Sequence, residues 1–305
     1  MRMTRRENSL SRLLVALGLA VLASFGSARR VRSDEIRRAD VEGSEAALAR
    51  RAWAAHNRIR EEADLPPLTR NPRLDAAARA HAQDMAARRE MTHEGADGSV
   101  AAERIDRQGY PFRNAGENVA RGQRSVEQVM DGWMNSPGHR KNILGKYSEI
   151  GLAVVHDDEG TPYWCVNFAT PWPRTNPRDA PQAVLAALNR ERLRHDLPPL
   201  RIDPRLNHLA SRRAESLVRQ KPTEDTPGRR EAFEEDLRSV GYRYKAMTEL
   251  AAGGQPDPRA FVKSIVAQPA QRETILGPYQ DAGVGIATGE HGTPYWSLIL
   301  GSPLD

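Results

Sequence analysis

Four short stretches of this 305-residue chain carry side chains able to do chemistry: Thr92-His93, Gly116-Glu117-Asn118, Asn135-Ser136-Pro137-Gly138-His139-Arg140 and Ser148-Glu149-Ile150-Gly151. Together they supply two imidazoles and two carboxylates. At neutral pH the carboxylates are charged, while imidazoles with an ordinary pKa near about 6.5 are mostly neutral. Such a set carries excess negative charge, which a bound cation or protonation of the histidines would relieve. The four residues lie on separate segments spread over 56 positions, so spacing alone does not make them neighbours.

Other reactive side chains read as structural. Cys165 sits between Trp164 and Val166 in an apparent strand and is expected to be a buried thiol. Ser136 precedes a proline and reads as a helix N-cap. His56, His81 and His156 have no carboxylate at a useful spacing and read as packing or surface residues. Met130 and Trp133 are core by periodicity. No serine, cysteine or threonine nucleophile announces itself, and no H-E-x-x-H helix is present.

The elements that must position these residues are a mixture of helix and strand. Asn71 and Pro72 form an N-cap and first helical position, followed by Leu74, Ala77, Ala78, His81 and Met85 at helical spacing. A short helix is expected from Val100 to Gln108, ended by Gly109. Ser125 and Gln128 make a capping box ahead of the apolar face Val126, Val129, Met130 and Trp133. Residues 150–156 and 161–168 read as the two strands of a hairpin. Helices first and a hairpin last predict an α+β layered domain.

The chain says this twice. Leu65-Pro66-Pro67-Leu68 returns as Leu197-Pro198-Pro199-Leu200, an offset of 132 residues. The same offset relates Asn57-Arg58 to Asn189-Arg190, Gly109-Tyr110 to Gly241-Tyr242, Ile143-Leu144-Gly145 to Ile275-Leu276-Gly277, and Thr161-Pro162-Tyr163-Trp164 to Thr293-Pro294-Tyr295-Trp296. No gap is needed, so the chain is a tandem duplication. Its expected parts are residues 1–28 as a signal peptide, 29–49 as an extension, 50–171 as the first domain, 172–182 as a proline-rich linker and 183–305 as the second domain.

Composition sets the class. Hydrophobic residues make up 39% of the chain; with glycine counted in and tyrosine out the share is about 44%, near the globular norm of roughly 45–50%. The single cysteine excludes an intramolecular disulfide framework and a Cys-based metal centre. The net charge is +5, of which residues 1–28 carry +3; the remaining +2 gives no electrostatic case for nucleic acid. Arg2, Arg5 and Arg6 precede an uncharged apolar run, residues 13–25, which as a helix spans about 20 Å against a bilayer core of about 30 Å. Gly26-Ser27-Ala28 then offers small residues for cleavage, so the segment reads as an export signal, with no membrane span after its removal.

The wording "GENVARG", "WMNSPGHRKNIL" and "YSEIGLAVV", in that order, resembles the superfamily of cysteine-rich secretory proteins, antigen 5 and plant pathogenesis-related proteins (CAP), and more narrowly its disulfide-free secreted bacterial branch. The likeness covers residues 50–171 strongly and 183–303 weakly. It implies two tandem α-β-α sandwich domains with an open cleft, in which His93, Glu117, His139 and Glu149 converge as a tetrad. On that implication His93 and His139 could hold Zn2+ or another divalent cation through neutral nitrogens. Glu117 and Glu149 would orient the rings, or serve as the candidate catalytic carboxylates. No organic cofactor is expected.

Adding 132 to each tetrad position gives Asp225, Glu249, Gln271 and Asp281, so the second copy keeps acids and loses both imidazoles. The favoured reading is a secreted, periplasmic or envelope binding module whose ligand is lipid- or sterol-like, an envelope polymer or a protein. The alternatives are a metal-assisted hydrolase or peptidase, and a structural envelope protein.

Overall fold

The computed structural model describes residues 44–220 and 229–304. The export signal and most of the extension lie outside the described residues, as does Asp225. Copy one opens with α1 (Glu45–Glu62), whose cap Ser44 accepts a hydrogen bond from Ala47 N. The first helix thus starts inside the stretch read from the sequence as an extension. A two-residue strand β1 (Thr69–Arg70) follows, then α2 (Pro72–Arg88), capped by Asn71 with Pro72 in its first turn. Next come α3 (Ala101–Arg107), β2 (Phe112–Arg121), α4 (Val126–Asn135), α5 (Pro137–Ile143) and the hairpin strands β3 (Glu149–His156) and β4 (Pro162–Pro171).

Strand β2, like α1 and β1, is not among the elements expected from the sequence. It pairs antiparallel with β4 at the sheet edge, in the strand order β1-β3-β4-β2. Gly109, which ends the segment after α3, has φ +65, a conformation that favours glycine.

Alternation along β4 builds two cores. Trp164, Val166 and Phe168 join Trp133, Met130, Ile150, Leu152 and residues of α1 on one face. Tyr163, Cys165 and Ala169 face the other way, toward Leu74, Ala77, Ala78, Ala82 and Met85 of α2. A strand buried on both faces needs a helical layer on each, which makes the sandwich. Helix α2 lies so close to β3 that a Cβ on Gly151 would stand 2.1 Å from the Leu74 carbonyl carbon, so glycine is required there.

Copy two repeats the plan with α6 (Ala180–Leu193), β5 (Arg201–Ile202), α7 (Pro204–Gln220), α8 (Arg229–Ser239), β6 (Tyr244–Gly253), α9 (Pro258–Val266), α10 (Pro269–Ile275), β7 (Asp281–Thr288) and β8 (Pro294–Pro303). Its sheet order is β5-β7-β8-β6.

The repeated words of the sequence are repeated interactions. Asn57 accepts from Leu68 N at 2.8 Å and donates to Leu68 O at 3.1 Å; Asn189 does the same to Leu200 at 2.8 and 3.0 Å. Arg60 is buried and its guanidinium donates to the carbonyls of Pro66 (2.9 Å), Ile143 (2.8 Å) and Gly145 (2.8 Å). Arg192 treats Pro198, Ile275 and Gly277 likewise, at 2.9, 2.8 and 2.9 Å. Each arginine satisfies carbonyls at a helix end that would otherwise be orphaned, and locks the sheet-edge loop to the first helix of its copy.

The two copies touch. The His291 ring stacks on Phe112 at 4.8 Å between centroids, its Nδ1 stands 3.3 Å from Asp106, and Thr175 donates to Pro256 O at 3.3 Å.

His56 is fully buried among Trp133 and Phe168, with Nδ1 2.7 Å from Ala52 O and Nε2 without a partner. Burial pushes its pKa down from the ordinary 6.5 to about 4. The folded state therefore carries no penalty above about pH 6.5, and one that grows as pH falls toward 4, on the order of 3 kcal/mol in full. The matching position in copy two is the buried Leu188. His56→Leu should flatten the loss of stability between pH 6.5 and 4 in denaturant titrations; an unchanged acid slope would contradict this.

Candidate functional site

A carboxylate buried on an edge strand organises the site. Glu117 pairs with Asn167 of β4, and its side chain is only 3% exposed. Oε1 lies 2.9 Å from His93 Nδ1, and Oε2 accepts from Arg104 Nη2 at 2.7 Å. The Cys165 thiol reaches Oε2 at 3.5 Å, and His81 Nε2 stands 3.9 Å from Oε1. Burial alone would raise the pKa of Glu117; the His93 hydrogen bond and the Arg104 charge outweigh it and hold the carboxyl below its usual range.

The loop bearing His93 is fixed from beneath. Arg104 donates to His93 O at 3.1 Å and also to Ser99 O, while His81 Nε2 bonds Thr92 O at 2.8 Å. The His93 side chain remains 61% exposed. Its hydrogen bond to Glu117 raises its pKa, against burial and Arg104. With Nδ1 directed at Glu117, Nε2 is the nitrogen left for a ligand.

His139 comes from the other side of β2, on α5. Asn142 Nδ2 donates to Glu117 O at 3.0 Å and to Asn118 Oδ1 at 2.8 Å, and Asn118 Nδ2 donates to His139 O at 3.1 Å. The ring leans on Trp133, 6.5 Å between centroids. Burial, and then the charge of His93, lower its pKa, so the ring stays neutral at pH 7.

Glu149 is placed elsewhere, and the expected four-way convergence is corrected accordingly. It sits on β3 opposite Ala169, whereas Glu117 sits on β2 opposite Asn167. The whole of β4 intervenes, which sets the two backbones about 10 Å apart. Its Oε2 accepts from Asn71 Nδ2 at 2.6 Å and from Tyr110 OH at 2.9 Å. Among the described residues no group of three or more His, Cys, Asp or Glu is placed to hold one metal ion.

The remaining side chains singled out above fall as follows. Cys165 is buried, and burial followed by the Glu117 charge raises its pKa well above the ordinary value. Ser136 occupies the cap position of α5, where its carbonyl, not its hydroxyl, accepts from Arg140 N at 2.9 Å. His156 has an acidic neighbour after all, Glu45 Oε1 at 3.5 Å. Arg104 and Asn142 carry no signal in the sequence, and His81, which reads there as a packing or surface residue, stands beside Glu117 instead. A signal for His81 existed: the offset of 132 pairs it with Arg213, one basic residue for another.

That exchange rewires copy two. Arg213 grips Glu249 through Nε, 3.2 Å from each oxygen, and Nη2, 2.9 Å from Oε2, and Ser297, in the place of Cys165, donates to Oε1 at 2.9 Å. Asp236 stands where copy one has Arg104 and pairs with Arg212 at 2.6 Å. Gln271 lies on α10 in the place of His139. Asp281 accepts from Tyr242 OH at 2.9 Å, as Glu149 does from Tyr110.

Comparison with known proteins matches this arrangement to one family. The model of the CAP, cysteine-rich secretory protein family matches residues 53–168 and 185–300. An uncharacterised protein of Bacillus subtilis, YkwD, is 35% identical over 113 residues, covering 37% of this chain and 43% of its own length. An uncharacterised membrane protein of the same organism, YlbC, is 29% identical over 93 residues, 30% of this chain and 25% of its own. The chain thus spans less than half the length of these curated relatives. An extracellular SCP-domain protein of Bacillus anthracis of known structure is 27% identical, covers 41% of each chain and superposes with a TM-score of 0.39.

Removing one member of a buried ion pair strands the other, at a cost of about 3–5 kcal/mol. Arg104→Met should therefore destabilise copy one by about that amount, and adding Glu117→Gln should restore most of it. Additive losses in a denaturation double-mutant cycle would show that the two groups are not coupled.

Proposed function

The chain belongs to the CAP, cysteine-rich secretory protein family, and from that premise we propose that it is an exported binding module whose first copy carries the working cleft. The observation that carries this reading is the His93–Glu117 pair, a buried carboxylate fixing an exposed imidazole, which copy two replaces with a buried Arg213–Glu249 pair. The basic and then apolar residues 1–28 support export. Among the described residues no helix is long and apolar enough to cross a membrane. The ligand class stays as broad as the sequence leaves it: lipid- or sterol-like, an envelope polymer or a protein.

The cleft also suits a divalent cation. A ring whose Nδ1 is held by a carboxylate presents Nε2 in a fixed orientation and with added basicity. His139, kept neutral, supplies a second nitrogen. Two nitrogen donors without a third side chain would make a weak, exchangeable site, and a cation held there would supply positive charge for a ligand's oxygen atoms rather than hold the fold. Titration calorimetry with zinc should show saturable uptake that His93→Ala/His139→Ala abolishes and Glu117→Gln weakens about 10- to 100-fold. Uptake unchanged in the double histidine variant would place the metal elsewhere.

One observation favours a second reading, hydrolysis. Glu117 and His93, at 2.9 Å, have the geometry of a general-base pair. Release of fragments from casein or peptidoglycan that disappears in Glu117→Gln would support it; saturable binding without turnover would leave the binding module standing.

A further inference from the structure

A cavity of about 390 Å3, with none of His93, Glu117 and His139 in its lining, lies where the first turn of α2 meets Tyr110 and the segment after β4. Glu149, Arg73, Trp172 and Arg174 are among the residues lining it. The internal duplication shows what is unusual about it. In copy two, Asp281 is paired with Arg201 at 3.2 Å, and Arg205 with Asp203 at 2.7 Å. The offset of 132 puts Thr69 in the place of Arg201 and Asn71 in the place of Asp203. Copy one has therefore lost the basic member of one pair and the acidic member of the other. The survivors, Glu149 and Arg73, line the same cavity.

Their remaining contacts are with neutral groups. Glu149 accepts from Asn71 and Tyr110 on Oε2, and Arg73 donates to Gly109 O at 2.5 Å. The carboxylate is half-buried, so its charge is screened less than a surface charge. A purely anionic ligand would meet Glu149, and a purely cationic one would meet the guanidiniums of Arg73 and Arg174. A ligand bearing both signs replaces the two ion pairs that copy two makes internally.

We propose that this cavity binds a small zwitterion of the amino-acid class, with its ammonium at Glu149 and its carboxylate at Arg73. Trp172 and Tyr110 wall the cavity beside those charges, and an indole or phenol face is a favourable neighbour for an ammonium.

The test is calorimetry on the full chain with glycine, γ-aminobutyrate and ε-aminohexanoate, three probes that differ in the separation of their charges. At least one should bind saturably. Its affinity should fall by about tenfold or more in Arg73→Gln and in Glu149→Gln, the loss of one charge-assisted contact. Thr69→Arg/Asn71→Asp, which imports the partners found in copy two, should close the site, while His93→Ala/His139→Ala should leave binding intact. Arg73 is exposed, so its variant carries the test even if Glu149→Gln proves unstable, which circular dichroism will show. No saturable binding of any probe up to about 10 mM, a dissociation constant beyond which little recognition free energy is left, or binding indifferent to Arg73→Gln, would overturn the proposal.

Discussion

A carboxylate withdrawn from water has to be met by opposite charge or by hydrogen bonds, because its desolvation costs several kcal/mol. Glu117 imposes that demand at the edge of the first sheet. Arg104 answers at the inner oxygen and His93 at the outer one. The same arginine ties down the loop that carries His93, so the charge that keeps Glu117 ionised also fixes where the imidazole stands. An exposed ring in one orientation, with one nitrogen committed, is the consequence. Copy two meets the equal demand of Glu249 with a guanidinium from its own helix α7, and no ring is left over.

The duplication works as an internal control. What both copies keep is scaffold: Arg60 and Arg192 on helix-end carbonyls, Asn57 and Asn189 on the Leu-Pro-Pro-Leu loop, and Gly151 and Gly283 where a helix backbone presses on a strand. Tyr110 and Tyr242 hold an acid at the same 2.9 Å. That last pairing assigns Glu149 to the scaffold first, since it persists in the copy that has lost both histidines. Among the differences between the copies, two change how charged groups are partnered, at the surroundings of Glu117 and at the start of α2, and function is to be sought in those two places.

Local signals were legible in the sequence. Asn71 and Pro72 start α2, Ser125 starts α4, and the hairpin falls near its expected bounds, because caps and turns depend on residues a few positions apart. The constant offset of 132 residues was legible too, and with it the two-copy plan. Strand β2 was not. Its sequence, with Asn114, Gly116, Glu117 and Asn118 close together, lacks the apolar alternation of a half-buried strand, and its pairing partner β4 lies far along the chain. The same non-local order hid the separation of Glu149 from Glu117, since nothing short-range says that β4 runs between β3 and β2. Arg104 was hidden because a surface-rich helix such as α3 gives no sign of which of its arginines turns inward.

The central claim is electrostatic: Glu117 remains ionised and holds His93 through Nδ1. Heteronuclear NMR of the His93 ring nitrogens across pH reads it directly. The raised pKa means that the ring stays charged above about pH 6.5, that the stabilisation it brings is complete below that pH and fades as pH climbs through the folded value, and that the neutral ring keeps its proton on Nδ1. A His93 that titrates at or below 6.5, equally in the wild type and in Glu117→Gln, with the proton on Nε2, would contradict it.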